Sequence, residues 1–256
     1  MTTVANDRAS WLHGPSAACS VLPNGSKHPW RIILLGAPGV GKGTQAQLLC
    51  GKLGACHLST GDVFRAAKGS GANALTPAMA AAVDCMRAGK LVPDETVLDM
   101  VRERGPCLKC RGGFILDGFP RSIPQAEALE AELKNKELKL DAVVNLAMPL
   151  PEIVARLSGR RTCVKCKAVY HVTGRPSKKD GICDSCGSNL IQREDDRPES
   201  IEVRMAAYEA STAPLAAFYQ QRNLLLNITA GGTPEEICTR VVAALEAARK
   251  PCTCGQ

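Results

Sequence analysis

The sequence predicts a doubly wound α/β fold, in which helices cover both faces of a five-stranded parallel sheet. Short apolar runs without polar alternation indicate strands that are buried on both faces, as parallel strands are. Stretches with a helical period separate these runs. A glycine-rich segment joins the first run to the first helix, and ligands of such sheets bind at the carboxyl ends of the strands.

The candidate strands are residues 31–35, 55–58, 113–116, 142–146 and 224–228. The candidate helices are residues 42–53, 94–103, 122–135, 151–156, 200–221 and 234–248. Pro214 predicts a kink or a break in the fifth helix, because proline has no amide donor and its ring clashes with the preceding turn. Thr233 is the expected N-cap of the last helix, with Pro234 in the first turn and Glu236 three residues after the cap.

The composition suits one large domain or two small ones. Of the 256 residues, 45% are hydrophobic and 4% are aromatic, so aliphatic side chains must form most of the core. The formal net charge of +7 suits a polyanionic partner but does not distinguish nucleotides from nucleic acid. No run of about 18 apolar residues occurs, so we expect no membrane partner.

The first 29 residues are polar and lack the apolar block of a secretory signal, so we expect residues 1–29 to be a disordered extension. An organelle transit peptide is the alternative interpretation of this segment. The thirteen cysteines are an odd number without a secretory signal, which argues against a disulfide framework. We therefore expect a cytoplasmic protein with reduced thiols, some of them bound to a metal.

Residues 36–44 have the Gly-x4-Gly-Lys spacing of a phosphate-binding loop and lie between a strand and a helix. Glycines let the backbone wrap tightly, so that successive amides point at phosphate oxygens. The helix N-terminus favours an anion, and Lys42 adds a mobile positive charge. Gly43 follows the lysine where the general pattern has Ser or Thr, so the hydroxyl is shifted by one residue to Thr44. An ordinary glycine-rich turn is the alternative that this spacing disfavours.

Asp117 ends an apolar strand. In phosphate-loop proteins such a carboxylate holds Mg²⁺, directly or through water. We expect Asp117 and Thr44 to hold Mg²⁺ through water. Without the phosphate-binding loop, a turn or helix-capping Asp would be the preferred interpretation.

Two segments interrupt the alternation of strands and helices: residues 59–92 are alanine-rich and helical, and residues 159–196 are rich in Cys, Gly and Lys. The second segment contains two Cys-x-x-Cys pairs separated by sixteen residues: Cys163, Cys166, Cys183 and Cys186. This spacing is typical of a four-cysteine zinc ribbon, in which four thiolates close the metal shell and make the metal structural. Iron on the same ligands and four free thiols are the alternatives.

The remaining cysteines carry less information. A third Cys-x-x-Cys pair and a pair at the tail are interpreted as free thiols, with a second site or a redox pair as the alternative: Cys107, Cys110, Cys252 and Cys254. The others are interpreted as small core residues: Cys50, Cys56, Cys85 and Cys238. We interpret His57 as a packed histidine rather than a catalyst.

Several motifs in order resemble adenylate kinase. They are residues 36–46, 58–62 with Arg65, 90–95, 117–121 with Gln125, 156–161 and 193–196. The resemblance runs from about residue 31 to residue 248 and leaves out both ends of the chain. It implies a P-loop kinase-like fold and reversible, Mg²⁺-dependent phosphoryl transfer between ATP and AMP that gives two ADP. It also agrees with a structural Zn²⁺ in the cysteine-rich segment at residues 159–196, and it is consistent with a monomer.

The resemblance implies a core of residues 30–58, 93–158 and 197–249, with a tail at 250–256. Residues 59–92 would be a helical AMP-binding insert, and residues 159–196 a lid with the four-cysteine zinc site. Because water competes with AMP as the acceptor, the insert and the lid would close over the two nucleotides and exclude it.

The resemblance also implies roles for individual residues. The expected catalytic residues are Lys42, Arg121, Arg160, Arg193 and Arg204. The expected ATP contacts are Gly39, Val40, Gly41, Lys42, Gly43, Thr44, Arg156, Arg160, Val169, Tyr170 and Gly232. The expected AMP contacts are Thr60, Arg65, Lys90, Leu91, Val92, Gly118, Phe119, Pro120, Arg121, Gln125, Arg193 and Arg204. Guanidinium groups bind phosphate oxygens bidentately, and the amide of Gln125 offers adenine a donor beside an acceptor.

Two other functions compete with this one. The first is another nucleoside monophosphate kinase, with UMP as acceptor or GTP as donor; Thr60 and Gln125 favour AMP, and the long lid argues against the short-lid pyrimidine enzymes. The second is a nucleic-acid-binding zinc ribbon fused to a nucleotide-binding domain. That class requires a basic stripe with exposed aromatic residues, and the ribbon contains Tyr170 alone. We therefore expect no nucleic acid partner.

Overall fold

The computed structural model describes residues 29–67, 77–87, 92–103, 108–110 and 112–249, without the side chains of residues 62, 65–67, 86 and 87. Several predicted features lie outside the described residues. They are positions 1–28 of the extension, the tail at 250–256, Lys90, Leu91, Cys107, Cys252, Cys254 and the side chain of Arg65.

The strands are β1 (Trp30–Leu35), β2 (Cys56–Ser59), β3 (Gly113–Asp117), β4 (Ala142–Ala147), β5 (Arg160–Cys163), β6 (Val169–His171), β7 (Leu190–Ile191) and β8 (Leu225–Thr229). Within the described residues, five of them form a parallel sheet in the order β2-β3-β1-β4-β8. The predicted five-stranded parallel sheet is confirmed, because every predicted apolar run falls on one of these strands.

The helices are α1 (Lys42–Leu53), α2 (Thr60–Ala67), α3 (Pro77–Arg87), α4 (Asp94–Arg102), α5 (Ile123–Asn135), α6 (Leu150–Gly159), α7 (Pro198–Ala207), α8 (Pro214–Gln220) and α9 (Pro234–Ala248). The predicted break at Pro214 is confirmed, since a π turn over Tyr208–Thr212 separates α7 from α8. The predicted cap of α9 is also confirmed. The Thr233 hydroxyl accepts from the amide of Glu236 at 3.3 Å, and the Glu236 carboxylate accepts from the amide of Thr233 at 2.9 Å.

Helices cover both faces of the sheet, and each face has its own apolar core. On one face, residues of α1 and α9 such as Leu49 and Val241 pack on β1, β3 and β4. On the other face, residues of α2, α3, α4, α5 and α8 such as Met100 and Leu129 form the larger cluster. The chain therefore leaves β1 toward one face and β3 toward the other, which opens a crevice between the carboxyl ends of these neighbouring strands.

Strands β5, β6 and β7 form a separate antiparallel sheet in the order β6-β5-β7. Its small core contains Cys163, Tyr170 and Cys183, so this sheet buries few apolar groups of its own. Of the cysteines interpreted as core residues, Cys50, Cys56 and Cys238 are buried, whereas Cys85 is only partly buried. The described part of the chain contains no helix that is long and apolar enough to cross a membrane.

Candidate active site and lid metal centre

The loop between β1 and α1 has a shape that only glycine allows at two positions. At Gly36, with φ 132°, a Cβ atom would lie 2.5 Å from the carbonyl oxygen of Leu146. At Gly39, with φ 85°, it would lie 2.5 Å from Cγ of Leu157. The Lys42 ammonium group donates hydrogen bonds to the carbonyl oxygens of Gly36 at 2.7 Å and Ala37 at 3.0 Å. The loop and its lysine thus form a closed cradle at the N-terminus of α1, where an anion is favoured.

Asp117, the last residue of β3, faces this cradle. A Cβ atom at Gly43, in the first turn of α1, would lie 3.4 Å from Oδ2 of Asp117. On the other side, Nε2 of the buried His57 lies 3.5 Å from the same oxygen. Burial acts to raise the pKa of Asp117, but His57, Lys42 and Arg121 outweigh it and hold the pKa below its ordinary value. The carboxylate is therefore ionised at neutral pH, as an oxygen ligand for Mg²⁺ must be.

Lys42 experiences the charges of several predicted catalytic residues. Burial lowers its pKa from 10.5 to about 8, and Asp117 opposes this shift. The guanidinium groups of Arg121, Arg204 and Arg160 lower the pKa further. Three arginines, from the loop after β3, from α7 and from the start of β5, therefore lie close enough to one ammonium group to act on its charge.

The buried carboxylate of Asp196 holds two of these arginines. It is 0% exposed, and its Oδ2 accepts a hydrogen bond from Nε of Arg160 at 2.7 Å, while Oδ1 pairs with the other side of the same guanidinium group. Arg204 lies 3.5 Å from Oδ1 of Asp196 and donates to the carbonyl oxygen of Asp195 at 2.6 Å. Sequence reasoning missed Asp196 as a site residue. The motif at residues 193–196 contains Asp196, but nothing in the sequence distinguishes this buried carboxylate from its partly exposed neighbour Asp195.

Arg193 lies near this group, on the lid side. Its Nε donates to the hydroxyl of Thr162 on β5 at 2.9 Å. The same lid strand thus begins with Arg160 and orients Arg193 through Thr162, so both arginines depend on the position of the lid sheet.

The predicted acceptor side is organised around the carbonyl oxygen of Gly118. Thr60 donates to it from its hydroxyl at 2.9 Å, and Arg121 donates from Nε at 2.8 Å. Phe119 is buried, and its peptide bond to Pro120 is cis. The structure therefore brings together the segments after β2 and after β3 at the crevice. Val92 is partly buried and packs against the larger core cluster.

Gln125 is buried, and protein groups fix its amide. Its Nε2 donates to Oδ1 of Asp94 at 2.6 Å, and its Oε1 accepts from the amide of Arg121 at 2.7 Å. Ser122 in turn donates to Oδ2 of Asp94 at 2.7 Å. An amide has two N–H groups and two lone pairs, so these contacts orient it while leaving capacity for a base. The role of Asp94 in orienting Gln125 was not predicted.

On the predicted ATP side, Arg156 joins the phosphate-binding loop to the segment after β8. It donates to the carbonyl oxygen of Val40 at 3.3 Å and to that of Ala230 at 3.0 Å, and burial lowers its pKa. Gly232, two residues after Ala230 in the same segment, has a left-handed backbone with φ 93°. Val169 is partly buried on β6, whereas Tyr170 lies in the lid core, where its hydroxyl accepts from the amide of Asp184 at 2.9 Å.

The four lid cysteines meet in one cluster, with all four Sγ atoms within 4.8 Å of one another. Both pairs end in the same turn, because the residue after the second cysteine is left-handed in each case: Lys167 at φ 60° and Gly187 at φ 71°. Hydrogen bonds from Ser188 lower the pKa of Cys186 to about 6, which favours a thiolate, whereas burial and hydrogen bonds to the other cysteines raise the pKa of Cys166. Four sulfurs in this arrangement fit a closed tetrahedral zinc shell.

The site defines a P-loop phosphotransferase, because it combines a glycine cradle and its lysine with an ionised carboxylate on the adjacent strand and with arginines from separate elements.

The comparisons with known proteins agree. A family model described as adenylate kinase matches residues 34–224. The adenylate kinase of Citrifermentans bemidjiense is 49% identical over 216 residues, which cover 84% of this chain and 99% of that protein. Those of Carboxydothermus hydrogenoformans and Thermodesulfovibrio yellowstonii are each 45% identical with the same coverage. The chain belongs to the adenylate kinase family, a family of nucleoside monophosphate kinases, as the resemblance predicted.

Proposed function

We propose that this chain catalyses ATP + AMP ⇌ 2 ADP by in-line phosphoryl transfer in the crevice between β1 and β3. Membership of the adenylate kinase family supports the reaction. The assignment of residues is supported by the cradle that Gly36, Gly39 and Lys42 form, and by the charges of Asp117, Arg121, Arg160 and Arg204, which act on Lys42 from four different segments. Phosphoryl transfer needs little covalent help from the protein and depends on positioning and on neutralising charge.

In this proposal, residues 39–44 bind the ATP phosphates through backbone amides, and Arg156 and Gly232 complete the ATP side. Lys42 exchanges its bonds to Gly36 and Ala37 for the transferring phosphoryl group. The guanidinium groups of Arg121, Arg160, Arg193 and Arg204 neutralise the charge that spreads over that group. Asp117 and Thr44 would hold Mg²⁺ through water, and the bound ion would supply further neutralisation of the β- and γ-phosphates.

AMP would bind on the opposite side of the crevice. Thr60, Arg65 and residues 90–92 would contact it from the insert at 59–92, and residues 118–121 from the loop after β3. Gln125 would read the adenine edge with its oriented amide. The lid at 159–196, held by four cysteines and a structural zinc, would close over ATP and exclude water. We further propose that the protein is a cytoplasmic monomer without a nucleic acid partner.

The direct test measures ADP formed by the purified chain with Mg²⁺, using ATP or GTP as donor and AMP, UMP, CMP or GMP as acceptor. We expect ATP with AMP to react fastest, and Arg121→Ala to lower the rate by about 100-fold or more. Arg102→Ala is the matched control, because Arg102 pairs with Glu95 and Asp99 on the exposed face of α4. A folded wild-type protein that interconverts no adenine nucleotides would refute the proposal, and a preference for UMP would select the competing kinase.

The value of kcat/KM for ATP, which reports on the free enzyme, is expected to fall as pH rises through about 8, because Lys42 is charged below this pKa and neutral above it. Bound phosphates favour the charged form, so kcat should decline at a higher pH than kcat/KM for ATP. Initial rates from about pH 6 to about pH 10 separate the two profiles. The opposite order of the two declines would contradict the assignment of Lys42.

Removing the lid metal is expected to lower the melting temperature while the phosphate-binding loop stays formed, since the lid sheet has little apolar core of its own. Thermal denaturation with and without a chelator measures the first effect, and nucleotide binding measures the second. In Cys183→Ser, which lacks one ligand, the chelator should cause little further change. Metal analysis that finds no zinc in the freshly purified wild-type protein would contradict the prediction.

A further inference from the structure

Two thiols that are far apart in sequence meet at the amino ends of neighbouring strands. Cys56 is the first residue of β2, and Cys110 precedes β3. Their Sγ atoms are 3.3 Å apart. The amide of Gly113 donates to the carbonyl oxygen of Cys110 at 2.9 Å, which holds the turn that presents this cysteine. The contact therefore joins the first residue of β2 to the loop that precedes β3.

The pair is distinct from both sites described above. Cys56 is opposite Phe114 in the register of β2 and β3, whereas Ser59 is opposite Asp117 at the other end of the same strands. The nucleotide crevice lies at that carboxyl edge, and the thiols lie at the amino edge. Within the described residues, the four lid cysteines form a group of metal-ligating side chains, and Cys56 and Cys110 do not belong to it.

The two thiols differ in access. Cys56 is 8% exposed, and Cys110 is partly exposed. A small disulfide in solution therefore reaches Cys110 more readily than Cys56. Once Cys110 has reacted, the neighbouring sulfur of Cys56 is in place to attack it.

We propose that Cys56 and Cys110 form a reversible intramolecular disulfide by exchange with a low-molecular-weight disulfide such as oxidised glutathione. The thiolate of Cys110 attacks one glutathione sulfur, forming a mixed disulfide and releasing one glutathione thiolate. Cys56 then loses its proton to solvent and its sulfur attacks Sγ of Cys110, which forms the protein disulfide and releases the second glutathione. Two protein thiols are oxidised, and one glutathione disulfide is reduced to two thiols.

The bond closes a ring around residues 57–109, the stretch that contains the proposed AMP-binding insert and α4. Cross-linking a long stretch stabilises a protein mainly by restricting its unfolded chain. Because the bond forms at the edge of the sheet opposite the nucleotide crevice, the catalytic groups keep their positions. Oxidation is therefore expected to raise thermal stability and to preserve turnover.

The test treats the full-length, zinc-loaded protein with oxidised glutathione and then maps its peptides after trypsin digestion without reductant. Cleavage after Lys52, Arg65, Arg104, Lys109 and Arg111 places Cys56 in peptide 53–65 and Cys110 in peptide 110–111, separate from Cys107 in peptide 105–109. We expect peptide 53–65 linked to peptide 110–111. Oxidation should raise the melting temperature by roughly 5 °C or more, with kcat within about twofold of the reduced protein. Reduction should remove the linked peptide and restore the original melting temperature.

Three variants separate the proposal from its alternatives. Cys110→Ser, at the partly exposed position, should abolish the linked peptide and the shift in melting temperature, as should Cys56→Ser if it folds. Cys107→Ser should retain both. The proposal is overturned if no such peptide forms, or if Cys56 links to peptide 105–109 instead. It is also overturned if metal analysis finds a second zinc whose removal is required before these thiols oxidise.

Discussion

Replacing Lys42 by Met is expected to lower kcat by about 1,000-fold or more while the protein stays folded. Methionine keeps most of the aliphatic stem but removes the ammonium group that binds the carbonyl oxygens of Gly36 and Ala37. Without it, the transferring phosphoryl group loses the charge that lies closest to the loop. The loss should appear mainly in kcat, because the backbone amides of residues 39–44 still bind ATP. Steady-state kinetics with saturating Mg²⁺ measure the effect.

A matched lysine substitution controls for nonspecific loss of charge. Lys136 lies at the end of α5, where it pairs with Glu132. Lys136→Met should leave kcat within about twofold, since within the described residues Lys136 pairs only with its neighbour on α5 and this partly exposed ion pair contributes nothing to the transition state. A folded Lys42→Met enzyme with wild-type turnover would remove this residue from the mechanism.

Replacing Asp196 by Ala is expected to reduce both stability and activity. Its carboxylate is fully buried and compensates Arg160, with Arg204 3.5 Å away. Removing one partner of a buried ion pair costs about 3 kcal/mol, or roughly 6–12 °C in melting temperature for a chain of this size. The two guanidinium groups would also lose the carboxylate that orients them, so kcat should fall by about 100-fold. Thermal denaturation and steady-state kinetics measure the two effects.

The neighbouring carboxylate provides the comparison. Asp195 is 40% exposed and lies 3.1 Å from Arg204 through Oδ2. Asp195→Ala should therefore cost less than about 1 kcal/mol. Equal destabilisation by the two substitutions would show that the burial of Asp196 has no special role. Asp196→Asn keeps the shape and an acceptor oxygen, so it distinguishes the loss of charge from the loss of packing.

The strands were predictable to within a residue or two, because short apolar runs that are buried on both faces have few alternatives. The break at Pro214 and the cap at Thr233 were predictable because each depends on local backbone chemistry. The helix predicted at residues 151–156 is longer, since α6 continues to Gly159 and ends only where the lid sheet begins. Ser158 and Gly159 are weak helix formers, so their helix propensities led to a predicted C-terminus of this helix that is three residues too early.

The contacts that the sequence did not reveal are those between distant segments. Asp196 reaches Arg160 across 36 positions, Asp94 reaches Gln125 across 31, and Cys56 reaches Cys110 across 54. Each depends on which segments the sheet order brings together, and on burial. The phosphate-binding loop and the four-cysteine cluster were predictable, because their ligand groups are close together in sequence at defined spacings.

The last turn of α6 has a mechanical consequence for catalysis. Leu157 touches the loop at Gly39, Arg156 holds the carbonyl oxygen of Val40, and the first lid strand starts one residue beyond Gly159. A single helical turn therefore supports the loop that is proposed to bind the phosphates and also anchors the lid. The lid is also hydrogen-bonded to this turn, because the amide of Val172 donates to the carbonyl oxygen of Gly159 at 2.9 Å and Nε2 of Gln192 donates to that of Ser158 at 3.3 Å. A displacement of the lid would therefore be transmitted through this turn to the loop that is proposed to bind the phosphates.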